Sequence, residues 1–389
     1  RRPHMTTLPT GFAAHTANIG VKDDSLDFVV VLGAPGTQGV AMFTKSRFAG
    51  ASVLLSRDLV ATGRTRGVVV LSKNSNVATG DEGMRNAREL VAGVATRLGC
   101  DEAEFVVAST GVIGRQYPMQ RIRAGIAALP SQPLGTDARL VARAIMTTDT
   151  RPKIAEATVR GSRARVVGVA KGVGMIEPDM ATHISLIFTD ANITRSELET
   201  VFRRTVEHTF NRVSIDTDTS TSDTTVCLAS GAAGAVDLTS FGEALHAVLL
   251  SLTKQIARDG EGAERVIAVC VDQARDEDQA VVVARSIVNS PLVKTAVHGA
   301  DPNWGRVAMA IGKCAQFLDI QQDRVTIRFG TQEVFPSQLD DAGLARLSTY
   351  MRGEEVLIHV TLNTGNAEAT VWGCDLSAGY VRINADYTT

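Results

Sequence analysis

The sequence has no CxxC pair, no HExxH run and no other close pairing among its seven histidines, so the spacings that metal ligands need are missing and no metal site is expected. Its five cysteines, Cys100, Cys227, Cys270, Cys314 and Cys374, are scattered. An odd count excludes a complete disulfide framework, and they read as buried thiols of a reducing compartment. A formal net charge of -2 leaves no strongly basic face for nucleic acid. No apolar run reaches the ~20 residues of a membrane span, and the start lacks the basic-then-apolar pattern of a secretory signal, so no membrane partner and a cytoplasmic location are expected. Arg1 to His4, ahead of Met5, read as additions to the natural start. No P-loop-type glycine run is visible either. What is present, 389 residues at 44% hydrophobic and 21% charged, makes a globular chain with room for two or three domains. Its expected partners are small molecules or copies of itself.

Between Leu26 and Ser72 come the short β-branched runs DFVVVLG, VAMFT, SVLLS and GVVVLS, which read as strands. Thr79 and Glu82 offer a capping box for a helix whose apolar positions are Met84, Ala87, Leu90, Val91, Val94 and Leu98, and Gly99 stops it. EFVVA (104 to 108) is a buried strand that delivers Ser109, Thr110 and Gly111 at its carboxyl end, where sites in sheet proteins often lie. A helix is predicted over 138–146, feeding MTTDT, and 157 to 170 alternate as one strand leading into Lys171. Further helices are predicted from Thr194 with Glu197, from Ser240 to Arg258 with Ser240 as cap, and around 276 to 288 and 303 to 315; Asp301 or Asn303 caps the last.

Lys171 to Ala191, KGVGMIEPDMATHISLIFTDA, is the stretch around which the chain is organised. Gly172 and Gly174 loosen the backbone, Pro178 resists helix, and an apolar strand then begins with Ile184, Leu186 and Phe188 on one face. Thr182 therefore stands at a strand's mouth. A β-branched residue there is ordinarily just a good strand former. The alternative is chemical: Ala181 is small enough to let the Thr182 hydroxyl reach its carbonyl, so the chain could cut itself and free Thr182 as an N-terminal nucleophile.

KGVGMIEPDMAT resembles the self-processing segment of the ornithine acetyltransferase family. The blocks NSNVATG (74 to 80), STGVIG (109 to 114), MTTDTRPK (146 to 153), SIDTDTSTSD (214 to 223), DGEGA (259 to 263), HGADPNWGR (298 to 306) and the closing YVRINADYTT are similar to the same family in the same order, so the resemblance covers nearly the whole chain. It implies cleavage between Ala181 and Thr182, Thr182 as nucleophile, and Thr110 and Gly111 as the oxyanion hole. It also implies substrate contacts from Thr147 (chosen over Thr148), Lys171, Glu261, Asn384 and Thr389.

The implied reaction is ping-pong acetyl transfer from N-acetylornithine to glutamate through acetyl-Thr182. The freed α-amine of Thr182, ordinarily of pKa ~7.7 to 8.0, can serve as the base, so no histidine is needed and His183 is expected on the opposite strand face. No cofactor is required, and acetyl-CoA stays open as an alternative donor. The rival readings are a self-processing aminopeptidase or amidohydrolase with water as acceptor, and a binding protein that keeps only the fold. The implied architecture is an αββα sandwich over 5–271, followed by a smaller α/β domain over 272–389, with the two fragments paired into α2β2 or larger assemblies. Some blocks are also similar to family members of clavulanic acid gene clusters, leaving primary and secondary metabolism both open.

Overall fold

Runs of three or four β-branched residues favour extended chain, and when every position is apolar the strand must be covered on both faces. The computed structural model, which describes residues 6–177 and 183–386, shows this in its first sheet. There β1 (Phe12–Ala17), β2 (Phe28–Gly33), β4 (Gly67–Asn74) and β5 (Phe105–Val112) lie in the order β1-β2-β4-β5. Val30, Val69, Phe105 and Val107 pack outward against α1 (Ala51–Ala61), α2 (Gly80–Leu98) and α3 (Met119–Ala128). Val29, Val31, Val68, Val70 and Val106 point inward, to a second sheet.

That second sheet has the order β3-β9-β8-β7-β6, built from β3 (Gln38–Phe43), β6 (Lys153–Thr158), β7 (Arg165–Lys171), β8 (Ile184–Asn192) and β9 (Thr224–Ala235). Ile184, Leu186 and Phe188 enter the core between the sheets, beside α4 (Ala138–Ala144), while Ile187 and Cys227 on the other face meet α5 (Arg195–Glu207) and α6 (Leu238–Arg258). The layers therefore run helix, sheet, sheet, helix.

A third sheet, β12-β11-β13-β10-β14, follows. Its strands are β10 (Val266–Ala274), β11 (Thr326–Phe329), β12 (Gln332–Phe335), β13 (Glu355–Thr361) and β14 (Ala367–Cys374). One face is covered by α7 (Glu277–Val288), α8 (Pro291–His298), α9 (Trp304–Gly312) and α10 (Asp341–Met351). The other contributes Val266, Ala268, Trp372 and Cys374 to the core around α6, so α6 is buried between two sheets. The chain then turns into α11 (Ala378–Asp386).

Several local expectations change. SVLLS belongs to α1, not to a strand: a run of three apolar residues cannot distinguish the two, and Leu59 and Val60 continue it at helical spacing. Residues 157 to 170 are not one strand, because β6 and β7 form an antiparallel pair with a turn between them. Thr79 precedes α2 without capping it; its hydroxyl goes to Asn76 instead. Helix α6 starts at Leu238, capped by Asp237 accepting from Ser240 N–H. Val271, the expected domain boundary, lies inside β10, which pairs with β13 on one side and β14 on the other. Cys100 and Cys270 are only half-buried.

Candidate active site

Lys171 ends β7, at the same end of the two facing sheets where β5 ends with Thr110, Gly111 and Val112. Gly111 has no room for a side chain. Its φ is +132°, and a Cβ there would sit 2.2 Å from the backbone carbonyl carbon of Lys73, across a β-bulge in β4. Close packing on β4 therefore requires glycine here, and Gly111 lines the cavity beside Thr110. From Lys171 the Nζ donates to Thr110 Oγ1 at 2.8 Å and to Thr147 Oγ1 at 3.2 Å, drawing together β5, β7 and the segment after α4.

The cavity that this group lines, of about 210 Å³, is also lined by Glu261, Asp216, Asp218, Tyr380 and Asn384. Glu261 lies in the turn after α6, where its N–H donates to Val173 O at 2.9 Å. Its carboxylate Oε2 accepts from Asn384 Nδ2 on α11 at 2.8 Å. Gly262, at φ +71°, permits the close approach of α11: a Cβ there would stand 2.3 Å from Tyr380 N. Burial raises the Glu261 carboxyl above its usual range, opposed by the Asn384 hydrogen bond; Asp216 raises it further and Lys171 lowers it. A smaller cavity of about 170 Å³ adjoins, sharing Asp216, Glu261 and Tyr380 as walls.

Among the described residues, Lys171 is the one cationic side chain lining this cavity. Burial pulls its ammonium below the ordinary lysine range, while Asp149, Asp223 and Glu261 pull the other way and Lys153 adds to the depression. Asp223 is buried and raised well above a normal carboxyl by that burial, with Ser220, Lys171 and Thr44 opposing; its Oδ2 has no hydrogen-bond partner among the described residues. His183, just before β8, packs edge-on against Phe210 with ring centroids 4.2 Å apart. Burial, with Lys171 and Lys153 nearby, lowers it to about 3, so it is neutral and carries no charge into the site.

Of the residues singled out from the sequence, Thr110, Gly111, Thr147, Lys171, Glu261 and Asn384 line this one cavity. Thr148 lines it too, but only Thr147 takes a hydrogen bond from Lys171. Ala181, Thr182 and Thr389 lie outside the described residues. Sequence reading left Asp216, Asp218 and Tyr380 without a role, although SIDTDTSTSD and YVRIN were recognised as blocks. Asp216 accepts from Met175 N and Ile176 N at 2.8 Å each, tying the loop after Lys171 to the turn before β9.

One acid–histidine group lies apart: Glu264, His298 and Asp375. Asp375 already accepts from Glu264 N, Arg265 N and His298 Nδ1, so its hydrogen bonds are met within the group.

A four-layer α/β fold with a threonine hydroxyl, a lysine and a bare glycine backbone at the end of its central strands has the parts of an acyl-transfer enzyme. Comparison with known proteins agrees and goes further. Residues 13–389 match the ArgJ family. The chain is 56% identical over 98% of both chains to a protein named glutamate N-acetyltransferase Oat2 from Streptomyces clavuligerus. It is also 50% identical over 99% of both to arginine biosynthesis bifunctional protein ArgJ 2 from Nostoc. A solved ornithine acetyltransferase from Mycobacterium tuberculosis, complexed with ornithine, is 31% identical over 46% of this chain and 97% of that one, with a TM-score of 0.42. The chain belongs to the ArgJ family, and it is an acetyltransferase.

Proposed function

We propose that this cavity moves an acetyl group from N-acetylornithine to glutamate by a ping-pong route, with an acetyl ester on Thr182 as the intermediate. The observation that carries the reading is that Thr110, Gly111, Thr147 and Lys171 line one cavity together with Glu261 and Asn384. At about 210 Å³ the cavity is below the ~300–1,000 Å³ of drug-sized sites, which suits one amino-acid-sized substrate at a time. Thr110 and Gly111 serve the oxyanion, and Thr182 acts as nucleophile with its own α-amine as base.

A site that admits a cationic and an anionic side chain in turn needs both charges within reach. Glu261 faces substrate ammonium groups, and Lys171 with its hydroxyl neighbours faces carboxylates. No cofactor enters this cycle, and acetyl-CoA remains a second acetyl donor to be assayed. The mature enzyme is a cytoplasmic pair of fragments, cut before Thr182, that assembles further into α2β2 or larger. It serves arginine formation or a clavam-type secondary pathway.

The test is acceptor dependence. Purified protein with N-acetylornithine should release ornithine much faster when glutamate is added; release at the same rate without glutamate would favour water as acceptor. Glu261→Gln should weaken N-acetylornithine more than glutamate, whereas equal weakening of both would refute the assignment of Glu261 to ammonium groups.

A further inference from the structure

Beneath the cavity lies a buried set of charges that the transfer reading leaves without a role. Lys153, at the start of β6, has no exposed side-chain surface, and its Nζ lies 2.7 Å from Asp149 Oδ1 and 2.6 Å from Asp259 Oδ2, both carboxylates being buried as well. Each carboxylate has other work. Asp149 accepts from Gly172 N through Oδ1 at 2.7 Å and from Thr147 N through Oδ2 at 3.1 Å. Asp259, the C-cap of α6, accepts from Thr150 N at 3.1 Å and from the Thr150 hydroxyl. Two residues beyond Asp259 is Glu261, hydrogen-bonded through its N–H to Val173 O.

One buried cation thus joins three stretches of chain, and each carries a cavity residue: Thr147, Lys171 and Glu261. We propose that Asp149 is a positioning residue for the acetyl-transfer site, held through Lys153 by Asp259, and that it sets Thr147 and Lys171 against one another and in register with the Glu261 turn. This inference rests on the transfer reading of the cavity. It reaches across the expected cleavage point too, since Asp149 and Lys153 precede residue 181 and Asp259 follows it.

The electrostatics agree with the geometry. The groups facing Lys171 are Asp149, Asp223 and Glu261, which favour its charge, and Lys153, which disfavours it; His183 nearby is neutral. Asp149 stays ionised although burial opposes it, because Lys153, Lys171 and the Gly172 N–H together outweigh that burial. Of this buried pair, Asp149 supports the Lys171 ammonium and Lys153 undermines it.

The experiment is the pH profile of kcat/KM for N-acetylornithine in transfer to glutamate, on wild type, Asp149→Asn and Asp149→Glu. Asp149→Asn leaves Lys153 paired with Asp259 and should move the alkaline limb to lower pH by ~1 unit or more, the size of shift an adjacent opposite charge produces. Asp149→Glu keeps the charge but displaces it by a methylene, so it should hold the limb near its wild-type place while kcat/KM falls. An unmoved limb in folded Asp149→Asn, or the same downward shift in Asp149→Glu, overturns the proposal. If Asp149→Asn does not fold, Asp149→Glu decides alone: a lowered kcat/KM with the limb in place supports the proposal, and an unchanged kcat/KM or a lowered limb overturns it. Should the wild type transfer no acetyl group, the reading of the cavity fails, and the same shift is read on Lys171 itself from the pH dependence of its acylation by an amine-directed reagent.

Discussion

The Lys171 Nζ lies 2.8 Å from Thr110 Oγ1, and because an ammonium can only donate, the threonine hydroxyl must accept from it. The hydroxyl hydrogen of Thr110 is thereby turned away from Lys171 and left to donate elsewhere, and Thr110 lines the cavity. A charged lysine thus makes a neutral hydroxyl into an oriented donor. Loss of one oxyanion donor typically costs about 100- to 1000-fold in turnover. Thr110→Val, which keeps the shape and removes the donor, should lower kcat by that order with N-acetylornithine binding little changed; steady-state kinetics of the purified variant check it.

The same pair predicts a pH limit. Burial has lowered the Lys171 ammonium below the ordinary lysine range, so deprotonation, and with it the loss of Thr110 orientation, arrives at lower pH than for an exposed lysine. The alkaline limb of kcat/KM should fall below that range, and Lys171→Met should abolish the limb and leave a low, flat residue of activity there.

Gly111 tests the wall rather than the donor. A methyl group would meet the Lys73 backbone at 2.2 Å, at a φ of +132° that side chains rarely adopt. Gly111→Ala should therefore cost on the order of 1–3 kcal/mol in stability and displace Thr110. Thermal melting and kcat should both drop.

His183 gives an acid-stability prediction. In the folded chain it titrates at about 3, whereas an unfolded histidine takes its proton near ~6.5. Between those values the unfolded state binds the extra proton, so the stability that neutral His183 contributes is present above ~6.5 and is lost progressively as pH falls toward about 3. His183→Phe, which can keep the edge-on contact with Phe210, should flatten the fall in denaturant midpoint across that window.

Much of this was legible in the sequence, for reasons particular to each residue. Ile184, Leu186 and Phe188 alternate because one face of β8 meets another sheet, and period-two patterns survive in a one-dimensional reading. SVLLS misled because three apolar residues carry no period of their own. Asp149 and Lys153 stand four apart inside the recognised block MTTDTRPK, yet their partners Gly172 and Asp259 are remote in sequence, so only the folded chain reveals the buried pair. That Asp216 and Asp218 join Glu261, already implied by the resemblance, was hidden for the same reason: the turn before β9 and the turn after α6 must fold back on β7 before those residues share a cavity.

The central claim is that Thr182 is freed as an N-terminal nucleophile, and intact mass under denaturing conditions tests it most directly. Wild type should give two fragments, the second beginning at Thr182, and Thr182→Ala should give one folded, uncut chain without transfer activity. A wild-type chain that stays whole while moving acetyl groups from N-acetylornithine to glutamate, or a Thr182→Ala chain that is cut or active, would contradict the account.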